Sequence, residues 1–323
     1  MEILCRVKVA PQESFYWRPR YPGLSTDRTP MPVTRRAMLF TAAALPFAHA
    51  SGAPKREALT DAERRISEIE HRIGGRLGVY VRDSGGGAAL VHRPNERFPL
   101  CSTFKVLAAA AVLKQVDDGK ARLAQEIAYG PADMLDYAPE TRKHLGEGHM
   151  RLGDLCAAAI QWSDNTAGNL ILKQIDGPAG FTRYARSVGD EVTRLDRTEP
   201  TLNTAIPGDL RDTTTPAAFA RTLQIVLTKR VLSEASARQL EEWMIGDKVG
   251  GGPLRSGLPK DWRIGDKTGT GDNGSANTVA IIRPPHRAPL FAAVYLTGGD
   301  VPMKERNAAH AEVARVIAEA FAA

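Results

Sequence analysis

Downstream of residue 50, Ile66, Ile69 and Ile73 fall on one stripe at helical spacing. Thr60 and Glu63 precede them and Gly74-Gly75 follows, so the pattern predicts a helix opened by a capping box at Thr60 and closed by the glycine pair. Leu77, Val79 and Val81 then alternate with Gly78 and Tyr80, the period of a strand. A turn at Ser84–Gly87 and a return over Ala88–His92 complete a hairpin. Between Leu100 and Ile245 the period is helical, as in Leu152, Leu155, Cys156, Ala159 and Ile160, and strand signals nearly vanish. Strands return at Arg263–Asp266, Thr278–Ile282 and Leu290–Leu296, and Val313, Val316, Ile317, Ala320 and Phe321 mark a last helix. The predicted fold class is α/β (α+β), an antiparallel five-stranded sheet flanked by helices and built from both chain ends, with an all-helical insert. The corresponding domains are 58–98 with 246–323 for the sheet, and 99–245 for the helical part.

Ahead of these elements the chain reads as a targeting segment. An apolar run, Ala37–Phe47, follows Arg35-Arg36 and precedes Ala48-His49-Ala50, a small-x-small cleavage pattern. We therefore expect residues 1–50 to be an N-terminal extension plus an export signal, the signal being 31–50 with Met31 as the start. The paired arginines favour the twin-arginine route, and the mature protein is expected to be periplasmic or secreted. The run is too short for a permanent membrane span, so stable membrane insertion is not expected.

Composition removes further classes. The 323 residues are 43% hydrophobic and 25% charged, the mix of a globular protein. The net charge of +6 suggests nucleic acid, but residues 1–50 hold seven of the 43 Lys/Arg and three of the 37 Asp/Glu. Most of the excess thus belongs to the targeting segment, and no nucleic-acid partner is expected. Three cysteines cannot build a disulfide framework, and the seven histidines lack zinc-ligand spacing. Neither a metal nor a cofactor is expected.

The candidate chemistry begins at Cys101-Ser-Thr-Phe-Lys105. If Ser102 opens the apolar helix, Lys105 lies on the same face and its amine reaches the hydroxyl. A buried lysine of lowered pKa can serve such a serine as base, and a helix N-terminus offers backbone N–H groups to an oxyanion. Alone, S-x-x-K is better explained by a helix cap beside a surface lysine. Ser163-Asp164-Asn165, interrupting a helical pattern, and Lys267-Thr268-Gly269, ending a strand, change that weighting, because three such motifs in this order are not coincidental.

With these motifs the chain from about Asp61 onward resembles the class A serine β-lactamases of the penicillin-binding superfamily. The discriminating segment is Arg194-Leu-Asp-Arg-Thr-Glu-Pro-Thr-Leu-Asn203, similar to the family's omega loop (here 194–212), which carries the glutamate that penicillin-binding proteins lack. The resemblance implies β-lactam hydrolysis, of penicillins and cephalosporins, through an acyl-serine intermediate, and hence antibiotic resistance. It makes Ser102, Lys105, Ser163 and Glu199 catalytic. Glu199, four residues before Asn203, could hold a water jointly with that amide and remove its proton for deacylation. Asn165 is implied to bind the substrate's side-chain amide, and Lys267, Thr268 and Thr270 its carboxylate. Gly269 lets the strand approach the ligand, backbone N–H groups of Ser102 and Thr270 form the oxyanion hole, and Tyr137 sits at the mouth. The acylation base stays open between Lys105 and Glu199. Arg197 and Asp212 match a salt bridge that closes the loop at its neck.

Departures narrow the resemblance. Ala276 stands where many relatives have a carboxylate-binding arginine, with Arg306 and, less well placed, Arg255 as substitutes. Cys156 faces Ala109 at a position bridged in some relatives, and Gly271 replaces the cysteine that pairs beside the nucleophile in family carbapenemases. Both Cys101 and Cys156 are therefore expected as buried free thiols. A monomer is the family's habit. A D,D-peptidase or a non-hydrolysing β-lactam sensor would share the serine and lysines, yet would not need Glu199.

Overall fold

The computed structural model describes residues 53–228, 231–249 and 252–322. The expected export signal and start lie outside these residues. In chain order the first elements are α1 (Ala53–Ile73), β1 (Arg76–Asp83), β2 (Ala89–His92), the two-residue β3 (Phe98–Pro99) and α2 (Phe104–Asp117). The short strands β4 (Glu126–Ala128) and β5 (His149–Arg151) lead to α3 (Leu152–Gln161), α4 (Asn165–Gln174) and α5 (Gly177–Ser187). After β6 (Thr213–Thr214) come α6 (Pro216–Thr228), α7 (Glu234–Ile245), β7 (Arg263–Thr270), β8 (Ala276–Arg283), β9 (Leu290–Thr297) and α8 (Met303–Phe321).

The main sheet is antiparallel with strand order β2-β1-β9-β8-β7, so the two chain ends do meet in one layer. β1 and β9 pair over eight residues, from Arg76 opposite Thr297 to Asp83 opposite Leu290. Period-two alternation sorts their side chains between two cores. Leu77, Val79 and Val81 of β1, with Val294 and Leu296 of β9, pack against Ile66, Ile69, Val313 and Ile317 of α1 and α8. Tyr80, Phe291 and Tyr295 turn the other way and join the core of the helical part, with Phe104, Leu107, Leu155 and Phe219.

Three local expectations are corrected. Thr60 does not cap α1, which begins seven residues earlier at Ala53. Inside a helix the Thr60 hydroxyl has no free N–H to accept from and donates instead to Arg56 O at 3.1 Å. The strand expected at Arg263–Asp266 runs on to Thr270, because residues 267–270 complete the ladder to β8. Lys267-Thr268-Gly269 thus ends the strand, as expected, and is held there by strand pairing. The stretch 100–245 also contains the minor pairs β4–β5 and, with β3, β6.

Candidate active site

Ser102 lies in a 3-10 turn, Cys101–Thr103, directly ahead of α2, and Cys101 takes a left-handed backbone conformation (φ 44°). The capping alternative fails, since no side chain caps this turn. Ser102 Oγ instead donates to Glu199 Oε1 at 3.2 Å and accepts from Lys105 Nζ at 2.9 Å. The turn is pinned from the sheet by Asn277 on β8, whose Nδ2 donates to Pro99 O at 2.9 Å. Gly269, opposite Asn277 in the ladder, touches the turn's other side. A Cβ on Gly269 would stand 3.1 Å from Leu100 O, Ser102 N and Thr103 N, so a side chain there would press the turn back by a few tenths of an ångström, and glycine lets β7 lie close against the serine's backbone.

Lys105 is fully buried on the first turn of α2. Its Nζ donates to Ser163 O at 2.8 Å and Asn165 Oδ1 at 2.7 Å, and forms an ion pair with Glu199 Oε1 at 3.0 Å. Burial lowers its pKa, while the Glu199 charge works in the opposite direction. α4 can approach this chain closely because residue 168 is glycine; a Cβ there would fall 2.8 Å from Lys105 Cε.

Ser163 occupies a left-handed position (φ 56°) between α3 and α4. Asp164 fixes the turn, capping α4 through Ala167 N and accepting from the backbone of Glu140 and Thr141. Ser163 Oγ thereby meets Lys267 Nζ at 3.0 Å, and Lys267 also donates to Thr268 O at 2.7 Å. Burial, and next the charge of Lys105, bring the Lys267 pKa down to about 7.

Glu199 enters from the loop 194–212 and is 3% exposed. Its Oε2 accepts from Asn203 Nδ2 at 2.5 Å, so the expected pair meets directly. Its backbone is bracketed by Asn169, which accepts from Glu199 N at 2.9 Å and donates to Glu199 O at 3.0 Å. At the loop's neck Arg197 Nε bonds Asp212 Oδ2 at 2.5 Å, with Asp212 1% exposed. This is no solvated ion pair: Asp212 Oδ1 also accepts from the backbone N–H groups of Asp196 and Arg197.

Eight of the eleven expected site residues (Ser102, Tyr137, Ser163, Asn165, Asn203, Thr268, Gly269 and Thr270) line one cleft of about 260 Å³. Lys105, Glu199 and Lys267 lie buried beneath it, bonded to lining residues. Tyr137 is half exposed at the cleft, and its carbonyl accepts from Asn165 N at 3.0 Å. No arginine lines this cleft among the described residues. Arg255 is drawn away to Asp266 at 2.6 Å, and Arg306 does not reach the cleft either, so neither substitute is found there. Cys101 and Cys156 are buried and unpaired. No group of three or more His, Cys, Asp or Glu side chains suited to a metal occurs among the described residues.

Sequence reading missed Asn169, Asn277 and the positioning part of Asp164. Asn169 stands four residues after Asn165 on α4, a helical spacing that offered a signal. Asn277 offered none, since its contact depends on strand pairing.

A family model described as "Beta-lactamase enzyme family" matches residues 61–321. "Beta-lactamase Toho-1" from Escherichia coli is 43% identical over 287 residues, 89% of this chain and 98% of that protein. "Beta-lactamase OXY-2" from Klebsiella oxytoca is 45% identical over 285 residues, 88% of this chain and 97% of that one. Among solved structures, "Ancestral (GNCA) Beta-lactamase class A" is 54% identical with a TM-score of 0.79, covering 80% of this chain and 100% of its own.

Proposed function

Since the chain belongs to the class A β-lactamase family, and so is a serine enzyme that hydrolyses β-lactams and gives antibiotic resistance, we propose that Ser102 is its nucleophile and Glu199 its deacylating base. The observation that carries this assignment is the position of Ser102 Oγ between Lys105 Nζ, 2.9 Å away, and Glu199 Oε1, 3.2 Å away. A hydroxyl held by an amine and a carboxylate at once can lose its proton as it attacks the lactam carbonyl.

Either neighbour can take that proton. Glu199, which already accepts from the hydroxyl, takes it directly, and Lys105, lowered by burial, can take it once its own proton has passed to Glu199 Oε1, 3.0 Å away. Attack converts the carbonyl oxygen to an oxyanion, which the backbone N–H groups of Ser102 and Thr270 stabilise. As the ring opens, Ser163 passes a proton to the departing nitrogen, replenished from Lys267, whose Nζ donates to the hydroxyl at 3.0 Å. Lys267, Thr268 and Thr270 hold the substrate carboxylate, Gly269 lets the strand come close, and Asn165 binds the side-chain amide of penicillins and cephalosporins. Tyr137 forms part of the mouth. The ester then needs a water activated by Glu199 and held with Asn203, whose buried Oδ1 has no partner within the protein and is free to accept.

In this reading the sheet part (58–98 and 246–323) supplies Lys267 to Thr270, and the helical part (99–245, with the omega loop 194–212) supplies the rest. The enzyme works as an exported monomer, periplasmic or secreted after loss of a signal at 31–50, without metal, cofactor or nucleic acid. Among the described residues no helix is long and apolar enough to cross a membrane.

The decisive experiment follows a chromogenic cephalosporin over time with residues 51–323 at near-stoichiometric enzyme. Continued turnover is expected. A burst of one equivalent followed by silence would remove deacylation from Glu199.

A further inference from the structure

Apart from the catalytic cleft, a larger cavity of about 590 Å³ lies between the distal half of the omega loop and one end of the main sheet. Residues 205–210 form its loop side, and Arg97, Asn273 and Gly298 belong to the facing wall. It shares no lining residue with the cleft. Its rim is apolar. Ile206 and Leu210 are 49% and 56% exposed, two of the four large hydrophobic side chains left in water among the described residues. Exposed apolar side chains beside a cavity of this size suit an apolar ligand.

The wall also holds a cation with hydrogen-bonding capacity to spare. Arg97 Nη1 donates to Val192 O at 3.1 Å and to Thr213 Oγ1 at 2.9 Å, which fixes the guanidinium. Among the described residues its Nε and Nη2 make no hydrogen bond, and no carboxylate lies within ion-pair distance of it. Burial, and next the charges of Arg194 and Arg186, work against its cationic form, with Asp190 the one charge that favours it. The two carboxylates of the lining are already engaged. Glu96 is shared by Arg76 at 3.1 Å and Arg93 at 2.8 Å, and Asp209 by Arg211 at 2.8 Å and Arg197 at 3.8 Å. The wall is thus short of negative charge, and the Nε–Nη2 edge of an arginine matches the two oxygens of a carboxylate.

We propose that this cavity binds a small amphiphilic carboxylate, an aliphatic monoacid whose carboxylate pairs with the Nε–Nη2 edge of Arg97 and whose chain covers Ile206, Pro207 and Leu210. A bare anion would leave the apolar rim in water, and an uncharged chain would leave Arg97 without a counter-ion. The site bears on the loop that carries Glu199. Ala205 takes a left-handed conformation (φ 45°) directly after the 3-10 turn Thr201–Thr204, which contains Asn203. Asn203 O accepts from Asp272 N at 2.9 Å. The next residue, Asn273, lines the cavity with Ala205, and its carbonyl accepts from Gly298 N at 2.7 Å. A ligand therefore touches both sides of the contact that seats the loop on the sheet, and by binding the seated arrangement it stabilises it. This inference does not depend on the catalytic roles assigned above.

The test titrates 15N-labelled enzyme, residues 51–323, with octanoate, octan-1-ol and acetate. Octanoate should shift the amide resonances of Ala205, Leu210 and Gly298 saturably and leave those of Thr268–Thr270 in place. Octan-1-ol should bind about tenfold more weakly, and acetate should not saturate. Hydrogen exchange at residues 203–210 should slow with octanoate bound. Arg97→Gln should bring octanoate down to the affinity of octan-1-ol and leave octan-1-ol unaffected. Should that variant fail to fold, Leu210→Asp changes an exposed position, sets a negative charge on the rim and should weaken octanoate about tenfold. Equal binding of acid and alcohol, indifference to both variants, or shifts confined to Thr268–Thr270 would overturn the proposal. Co-sedimentation with phosphatidylglycerol vesicles by an enzyme that does not bind octanoate would also overturn it, giving the patch to a lipid surface.

Discussion

Lys105 and Glu199 form an ion pair at 3.0 Å with both side chains wholly buried, and Ser102 Oγ touches each of them. A charge pair withdrawn from water in this way holds only while both partners and their hydrogen bonds stay in place. The hydroxyl is thus poised by groups that also constrain each other, which ties the serine's turn and the start of α2 to the loop 194–212.

That coupling predicts different failures for two substitutions. Ser102→Ala should abolish covalent attachment of any β-lactam, whereas Glu199→Ala should acylate and then stall, with kcat reduced about 10³-fold. Intact mass spectrometry after mixing with a penicillin distinguishes them, since only Glu199→Ala should carry the added mass. Undiminished turnover in Glu199→Ala would refute its role.

The loop's neck makes a second prediction. Arg197→Ala leaves the Asp212 carboxylate buried without its guanidinium and should cost about 3 kcal/mol, the range for breaking a buried pair. Asp212→Asn should cost less, because its remaining oxygen can still accept from the Asp196 and Arg197 N–H groups. Urea unfolding measures both, and the lifetime of the acyl-enzyme should lengthen in the order of destabilisation.

The motif residues were legible because each lies on a short local element whose spacing fixes its direction. Ser102 and Lys105 share one helical face, and residues 163–165 share one turn. The hairpin and the last three strands were visible from their alternation for the same reason. Nothing local announces that Arg76 pairs with Thr297, and that pairing rested on fold-level reasoning about the two chain ends. Asn277 was illegible because its role exists only after distant strands and turns meet. Thr60 misled because a capping box is also an unremarkable interior sequence once a helix extends back past it.

The cysteines give a third prediction. Cys101 and Cys156 are both fully buried, and burial pushes both thiols well above their ordinary range, with the Glu199 charge adding to the effect at Cys101. Neither thiolate is then available at neutral pH. The native mature chain should show no fast reaction with a thiol reagent and two equivalents on unfolding. A mass lower by two hydrogens under non-reducing conditions would reveal a bridge and sink this expectation.

A fourth prediction concerns acid stability. His310 on α8 is buried against β8, within 3.1 Å of Thr278 Oγ1 and 3.0 Å of Ala276 O. Its pKa falls from 6.5 to about 4, chiefly through burial. An unfolded chain therefore takes up a proton near pH 6.5 that the folded chain refuses until about pH 4. Stability from this group is complete above 6.5, declines as pH falls, and is lost once pH passes below about 4. The loss amounts to about 3 kcal/mol. His310→Gln removes the titration while keeping an amide to meet the Ala276 carbonyl. The variant should be the weaker protein at pH 8 yet lose less stability between pH 6.5 and 4 than the wild type. Chemical unfolding at a series of pH values checks this, and parallel curves for the two proteins would place the acid sensitivity elsewhere. Because Ala276 pairs with Thr270 in the ladder, protonation of His310 should also disturb the strand edge beside Ser102. Activity is then expected to fail in acid along with stability rather than after it.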